Sequence, residues 1–294
     1  MPKIALSISL VSHNSRVLLE NCLKSIYENT KDVKFEIFLV DNASSDDTIQ
    51  MVEKKFKDVK LTINSENALY TKAHNQNLKK ISGRYFLVLN DDTIIHPNTI
   101  ESIIAYLDTH PYIGLASCRQ IDEHGKTDTT CSRFPHPLTE VFESSFVAKQ
   151  FLKIVPILKV KRMVSHYRYS GWKRNTIREV DVIPGSFFLG RKILLEKVGL
   201  FDENLKLFYS DTDLCWRIKK AGYKLYHFAD VAIIHLRAQT VNKLNPWKRY
   251  KLSENDMLYF YKKYYGFAWW LFLWLAFRPN WLYWKLVTFK NNEV

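Results

Sequence analysis

At 294 residues, with 47% hydrophobic and 25% charged residues, the chain is excluded from the disordered class and can bury one large core plus a small appendage. Its net charge of +13 is uneven: Lys149–Arg178 holds nine basic residues and no acid, and 236–294 holds ten basic against three acidic. A remainder that is slightly acidic, with the basicity confined to two segments, points to a polyanionic surface met by particular parts of the protein.

In chain order, Ile4–Val11 reads as a first strand. It is broken by Ser7 and Ser9 and lacks a cleavage signature, so a signal peptide is not expected. Ser15 is placed to N-cap a helix whose Leu18, Leu19, Cys22, Leu23 and Ile26 follow a helical period. Phe35–Val40 is a second strand ending in the polar run Asp41–Thr48. A helix, a strand near Val59–Ile63 and a polar helix around Thr71–Ile81 follow. Tyr85–Leu89 is five apolar residues in succession, the pattern of a strand buried on both faces, and it runs directly into Asn90, Asp91 and Asp92. Adjacent acids at the end of a buried strand need compensation. A divalent cation that carries phosphates supplies it; an Asp-Asp turn capping the next helix, ahead of Pro97, is the other reading.

The β-α-β-α-β alternation predicts a parallel, doubly wound α/β half-domain. Its strand ends, His13-Asn14, Asp41-Asn42 and Asn90-Asp91-Asp92, would then face one crevice at the carboxyl edge of the sheet. No Gly-x-Gly-x-x-Gly and no Walker loop occurs, which removes the main warrant for a dehydrogenase or P-loop enzyme. A nucleotidyltransferase would want a glycine-rich basic loop where Ser12–Ser15 stands. A nucleotide held without such a loop needs its phosphates neutralised in another way, and a metal at Asp92 would do so.

Lys149–Arg178, interrupted by Pro156 and Gly171, reads as a long excursion over the acceptor side with room for a short helix. Glu179–Gly190 returns as strand, with a Pro184-Gly185 kink that lets backbone approach a ligand. Ser210 is expected to N-cap a helix over Asp211–Lys220, closed by Gly222. Asp211 and Asp213 would lie in its first turn, where the helix dipole alone accounts for carboxylates. His235, after the strand-like Val231–Ile234, reads by itself as a packed or surface histidine.

Trp247–Tyr265 has the pattern of a basic, aromatic amphipathic helix, and Phe267–Phe277 is wholly apolar and ended by Arg278-Pro279. That run is too short to span a bilayer. It fits a helix lying in the headgroup region of an anionic leaflet, or one packed on the catalytic domain or in a dimer. Cys22, Cys118, Cys131 and Cys215 lack metal or redox spacing and read as free thiols of a reducing compartment. No nucleic-acid module is recognisable, so nucleic acid is not an expected partner; a nucleic-acid binder would show salt-sensitive binding through 149–178.

Taken together and in order, Val11–Ser15, Val40–Thr48, Asn67–Asn75, Leu89–Thr93, Gly185–Leu189, Gly199–Asp202, Ser210–Arg217 and Ile233–His235 make the chain resemble the family 2 glycosyltransferases of GT-A fold over about residues 4–240. The resemblance implies a Rossmann-like α/β domain over 1–240, with a mostly parallel central sheet flanked by helices; the residue pattern beyond it makes 241–294 a membrane-associating helical segment. It implies that Asp41 bonds the pyrimidine, that His13, Asn14 and the Tyr70–Asn75 stretch wall the base and ribose, and that Asp91 lies near the ribose. Val11, Ala43 and Asn90 join the nucleotide-sugar site. Asp92 and His235 would hold Mn²⁺ or Mg²⁺ on the diphosphate, Gly185 and Ser186 would floor the sugar pocket, and Asp211 would be the catalytic base.

The chain departs from the family pattern at Asn90 and Ser210, where acids are common, and at Leu69 and Asn77, where glycine is common. The implied activity is inverting transfer from a nucleotide-sugar donor to a growing, lipid-linked polysaccharide, on the cytoplasmic face of the cell membrane. The Asn-Asp-Asp form is most similar to bacterial rhamnosyltransferases, which makes dTDP-L-rhamnose the expected donor and a UDP-hexose its rival. A catalytically silent scaffold subunit is the non-enzymatic alternative. Sugar, acceptor linkage and oligomeric state depend on loops that the pattern does not determine.

Overall fold

The parallel half of the molecule is built by β1 (Leu6–Ser12), β2 (Phe35–Asp41), β3 (Lys60–Ile63) and β4 (Tyr85–Asn90), connected through α1 (Arg16–Asn29), α2 (Thr48–Lys55) and α3 (Leu69–Leu78). The computed structural model describes residues 4–154, 158–236 and 245–290. Pro156 and the expected division at 240/241 lie outside the described residues.

Strand alternation explains β1. Leu6, Ile8 and Leu10 enter one core with Leu19, Leu23 and Ile26 of α1. Ser7 and Ser9 are buried on the other face, where each finds a polar partner. The Ser7 hydroxyl donates to Glu36 (2.6 Å), while Ser9 meets His74 Nδ1 (2.8 Å) and accepts from the Asn77 amide (3.0 Å). The Asn77 amide also donates to the carbonyls of Leu10 and Phe38, joining α3 to two strands. Burial holds the His74 imidazole neutral, with its pKa pushed down to about 3.

The second half is not parallel throughout. After β5 (Thr93–Ile95), α4 (Thr99–Thr109) and β6 (Ile113–Ile121), the chain makes α5 (Pro137–Ser144), α6 (Phe146–Ile154) and α7 (Leu158–Tyr167). It returns through β7 (Arg178–Val180), β8 (Phe187–Arg191), α8 (Lys192–Val198), α9 (Ser210–Lys220) and β9 (Lys224–His235). The sheet order is β3-β2-β1-β4-β8-β6-β9-β5, with β7 on β9. β8 lies antiparallel between β4 and β6, and β9 pairs parallel with β6 but antiparallel with β5 and β7. Among the described residues six of the nine strands, β1–β4, β6 and β9, run in one direction, so the sheet is mostly parallel as expected, with β5, β7 and β8 reversed.

The basic segment carries two helices where the sequence pattern had room for one. α10 (Pro246–Tyr265), α11 (Phe267–Ala276) and α12 (Arg278–Lys290) complete the chain. The apolar run does end at Arg278-Pro279, but Pro279 sits in the first turn of a further helix, where a missing N–H costs nothing. Leu205, Met257, Phe260, Tyr261, Leu273 and Phe277 form a separate core that seats these helices against Tyr209 and Trp216. The four cysteines are buried and unpaired with one another.

Candidate active site

The ends of β1, β2 and β4 do meet. The parallel register sets Ser12 beside Asp41 and Val11 beside Asn90, so the residues just beyond share one edge. At the β1–β2 end, His13 Nδ1 contacts the Asn42 carbonyl (2.8 Å), and the Asn14 amide N–H donates to Ser44 Oγ (2.9 Å). Asn14 and Ala43 both have left-handed backbone (φ 51° and 60°), which turns the two loops toward each other. Asp41 Oδ1 accepts from Ser44 N–H (2.8 Å), while its Oδ2 is buried with no hydrogen-bond partner. A buried carboxylate oxygen left open is costly, and a ligand donor aimed at it would relieve that cost.

At the end of β4, Asp91 accepts from Ser15 Oγ, which Ser12 Oγ supports (2.7 Å). Ser15 does stand at the N-cap of α1, but its hydroxyl is directed to Asp91 and caps no helix N–H. Asp92 is brought against His235 by the antiparallel β5–β9 ladder, which pairs Thr93 with His235. His235 Nε2 lies 3.3 Å from Asp92 Oδ1, an oxygen that is buried and accepts no hydrogen bond. The imidazole is oriented from behind: Nδ1 meets Gln120 Oε1 at 3.0 Å, and Gln120 exchanges hydrogen bonds with Ser186 Oγ (2.7 and 3.0 Å). With Nδ1–H donating to the Gln120 carbonyl, Nε2 presents its lone pair beside the open Asp92 oxygen, with the Asn90 amide 3.5 Å away. Two electron-rich atoms held this close, one backed by a hydrogen bond to its other ring nitrogen, is the arrangement metal-binding histidines use. Among the described residues no group of three or more His, Cys, Asp or Glu side chains clusters for a metal. A cation here would complete its shell with ligand oxygens and water.

The third part is Asp211. Gly185 N–H donates to its Oδ2 (3.2 Å), and Thr212 N–H to its Oδ1 (2.7 Å). Burial pushes its carboxyl above the usual Asp range, against the pull of those two donors. Gly185 has no room for a side chain, because a Cβ would lie 2.8 Å from the Tyr70 hydroxyl, which donates to the Gly185 carbonyl (2.9 Å). The turn continues into Ser186, whose carbonyl accepts from Asn90 N–H (3.1 Å). A continuous polar chain thus runs from Asp211 through Gly185 and Ser186 to Gln120, His235 and Asp92.

The other expected residues have defined places. Tyr70 packs edge-on against His74 and Phe201, with its hydroxyl at the Gly185 turn. Asn75 is buried, with its amide bridging Phe201 N–H, the Phe201 carbonyl and Glu203, so it is engaged in holding the 201–203 loop. Ser210 is the first helical residue, and the N-cap is Tyr209 in left-handed backbone (φ 58°). Asp213, at 0% exposure, is bound by Arg217 (2.7 Å), Lys263 (2.6 Å) and Tyr264 (2.7 Å), which joins α9 to α10. Gln120 gave no signal in the sequence, because one polar residue in an apolar strand is indistinguishable from an edge position. Asn42 was legible as part of the β2 cluster. Its side chain accepts from Asn64 (2.9 Å) and Ala68 N–H and so folds the 64–69 loop over the site.

Comparison with known proteins identifies the family. A family model described as glycosyl transferase family 2 matches residues 7–199. An uncharacterized glycosyltransferase of Rickettsia prowazekii is 26% identical over 260 residues, covering 83% of this chain and 70% of the relative. The N-acetylglucosaminyl-diphospho-decaprenol L-rhamnosyltransferase of Mycobacterium tuberculosis is 21% identical over 254 residues, covering 83% of this chain and 78% of that one. Among solved structures, a mannosyltransferase from Pyrobaculum calidifontis in complex with GDP-Man and Mn²⁺ aligns with a TM-score of 0.55 at 19% identity. The alignment covers 80% of this chain and 57% of that one, and at this identity it speaks to the fold.

Proposed function

The chain belongs to glycosyl transferase family 2, and from that premise we infer that it is an inverting, metal-dependent transferase acting on a nucleotide-sugar donor. The observation that carries this reading is the chain of contacts joining Asp211 to the Asp92–His235 pair through the Gly185–Ser186 turn. Such an arrangement can set a base and a leaving-group site on opposite sides of one sugar pocket. Asp211 is assigned the proton of the acceptor hydroxyl, a weak nucleophile until a carboxylate takes that proton as the C–O bond forms. One carboxylate in that role gives direct displacement and inversion at the anomeric carbon. A divalent cation, Mn²⁺ or Mg²⁺, would neutralise the departing diphosphate. Asp92 and His235 would hold that cation, Asp41 and the His13–Asn14 turn would hold the base, and Asp91 the ribose.

Donor class rests on likeness: the Asn90-Asp91-Asp92 form and the rhamnosyltransferase relative favour dTDP-L-rhamnose over a UDP-hexose, with a lipid-linked polysaccharide as acceptor. A thermal-shift panel of dTDP, UDP, GDP and CMP, each with Mn²⁺, Mg²⁺ or EDTA, tests this directly. Ligand at 100 times its Kd adds about 2.7 kcal/mol to the folded state, a rise of roughly 4–5 °C for a chain of this size. The expected result is metal-dependent stabilisation by dTDP, abolished by Asp92→Ala. Stabilisation by UDP alone would transfer the donor assignment to a UDP-hexose. No shift with any nucleotide would replace the enzyme with a non-catalytic binding subunit.

We further infer that the protein works on the inner face of the cell membrane. Phe267, Leu271, Phe272 and Leu275 of α11, with Leu282 and Leu286 of α12, present large apolar side chains to solvent. Lys262, Arg278 and Lys285 lie over Trp270, Trp274 and Trp281 beside them. No helix among the described residues is long and apolar enough to cross a membrane. Exposed apolar and aromatic groups ringed by cations match the headgroup boundary of an anionic leaflet. Co-sedimentation with phosphatidylglycerol vesicles is expected to fall at least tenfold in Phe267→Ser/Leu275→Ser/Leu286→Ser, with the melting temperature unchanged. Equal sedimentation of variant and parent would assign this face to another copy or a partner.

A further inference from the structure

A concentration of positive charge lies outside the proposed donor site, in a cleft of about 850 Å³ between α7 and the loop that follows it. Arg133, Lys161, Arg162 and Arg178 line it, with Tyr169 and Trp172 as its aromatic wall, and no Asp or Glu is among the lining residues. Among the described residues, none of these four cations is ion-paired. The neighbouring Arg168, by contrast, is matched to Glu143 (2.6 Å). The cleft is built, not incidental. Arg174, almost wholly buried, donates to the carbonyls of Thr130 (2.9 Å), Trp172 (2.6 Å), Tyr169 (3.2 Å) and Arg168 (2.7 Å), and so fixes the loop. On that fixed loop, the Arg133 and Arg178 guanidinium groups each lie 4.8 Å from the Tyr169 ring centre, and Arg178 also covers Trp172 at 5.1 Å. Arg133 Nε is buried there with no hydrogen-bond partner. Rings satisfy the faces of guanidinium groups but leave their in-plane N–H donors for an acceptor, and planar forks suit phosphate oxygens best.

Position gives the cleft its meaning. Arg133 follows Ser132, which bridges to Val182, and Val182 is three residues from Gly185. At about 3.3 Å per extended residue that is roughly 10 Å along the chain from the turn that touches Asp211. Donor phosphates, on the reading above, go to Asp92 and His235 at the other end of the polar chain. We propose that the α7 cleft is a second anion subsite, on the acceptor side, that takes a phosphate or diphosphate group without a metal. It rests on the glycosyltransferase reading only for its place in the reaction, because binding itself needs neither donor nor turnover.

Isothermal titration of the full-length protein with sodium pyrophosphate, in EDTA and about 0.15 M salt, tests the subsite. EDTA silences any metal-dependent site at Asp92. Saturable binding is expected, unchanged in Asp92→Ala and weakened at least tenfold in Arg133→Gln/Arg178→Gln. Lys161→Glu/Arg162→Glu, which alters only exposed side chains, is expected to weaken it as well and covers the case in which the first pair disturbs folding. Phosphatidylglycerol vesicles identify the source. A parallel loss of vesicle binding in Lys161→Glu/Arg162→Glu marks lipid headgroups, and vesicle binding that persists marks a soluble or acceptor-borne phosphate; either outcome sustains the subsite. Absence of saturable pyrophosphate binding in EDTA, or equal binding in parent and both double variants, overturns it. The nucleotide panel and this titration can fail independently, so the two readings are separable.

Discussion

Asp211→Asn is expected to lower kcat about 10²–10⁴-fold while leaving metal-dependent nucleotide stabilisation intact. The amide keeps an acceptor for the Thr212 N–H but cannot take a proton, and its NH2 replaces the oxygen that accepts from Gly185 N–H, so the change removes the base together with one hydrogen bond. The sign of the stability effect separates this from simple damage. Burial raises the folded-state pKa of Asp211 above its unfolded value, so the protonated form is favoured by folding. The associated stabilisation is complete below the unfolded pKa and is lost as pH rises through the folded one. At neutral pH the ionised carboxylate therefore costs stability, and Asn, which removes that cost but also the hydrogen bond from Gly185, is expected to melt close to the parent temperature. The acid limb of the parent pH–kcat/KM profile should accordingly lie above the usual Asp range. Turnover in Asp211→Asn within a few-fold of the parent would assign the base to another group.

Asp256→Ala is expected to be the most destabilising polar change in the C-terminal helices. The carboxylate, nearly inaccessible on α10, accepts from three successive backbone N–H groups, Lys206 (3.0 Å), Leu207 (2.9 Å) and Phe208 (2.9 Å). Removing it strands all three, at about 1–3 kcal/mol for each donor left without a partner. Even with partial relaxation, the loss should reach roughly 3 kcal/mol. The loop concerned leads into Tyr209, which is in left-handed backbone, and then into Asp211, so relaxation should also displace the base. A fall in kcat with nucleotide stabilisation retained is expected, since the residues proposed to hold the nucleotide base follow β1 and β2. Asp256→Asn keeps acceptor capacity at one oxygen and should recover part of both losses. Normal melting of Asp256→Ala would show that solvent satisfies the loop and that α10 does not position α9.

Much of the parallel half was legible in the sequence, because local pattern carries it. Tyr85–Leu89 is too continuously apolar for anything but a strand covered on both faces, and such a strand ending in two carboxylates marks a ligand edge. The ends of β1 and β2 follow by the same logic, since parallel strands with helical crossovers must align their carboxyl ends. Gly222, in left-handed backbone (φ 90°), closes α9 where expected.

What lay beyond the sequence was set by antiparallel register and by packing between distant segments. Asp92 and His235 meet because β9 reverses along β5, and Gln120 orients His235 because β6 lies beside β9; no local periodicity encodes either pairing. Asn75 and Tyr70 are held by Phe201 and Gly185, partners more than a hundred residues away that no local pattern names. The α7 cleft likewise depends on Arg174, which ties its loop to the Thr130 carbonyl, and on Arg133, which reaches Tyr169 from the segment between β6 and α5. Composition and period determine whether a residue is buried and in which kind of element. Which polar side chains share one small volume depends on long-range register, where a shift of a single residue would send each of them to the opposite face.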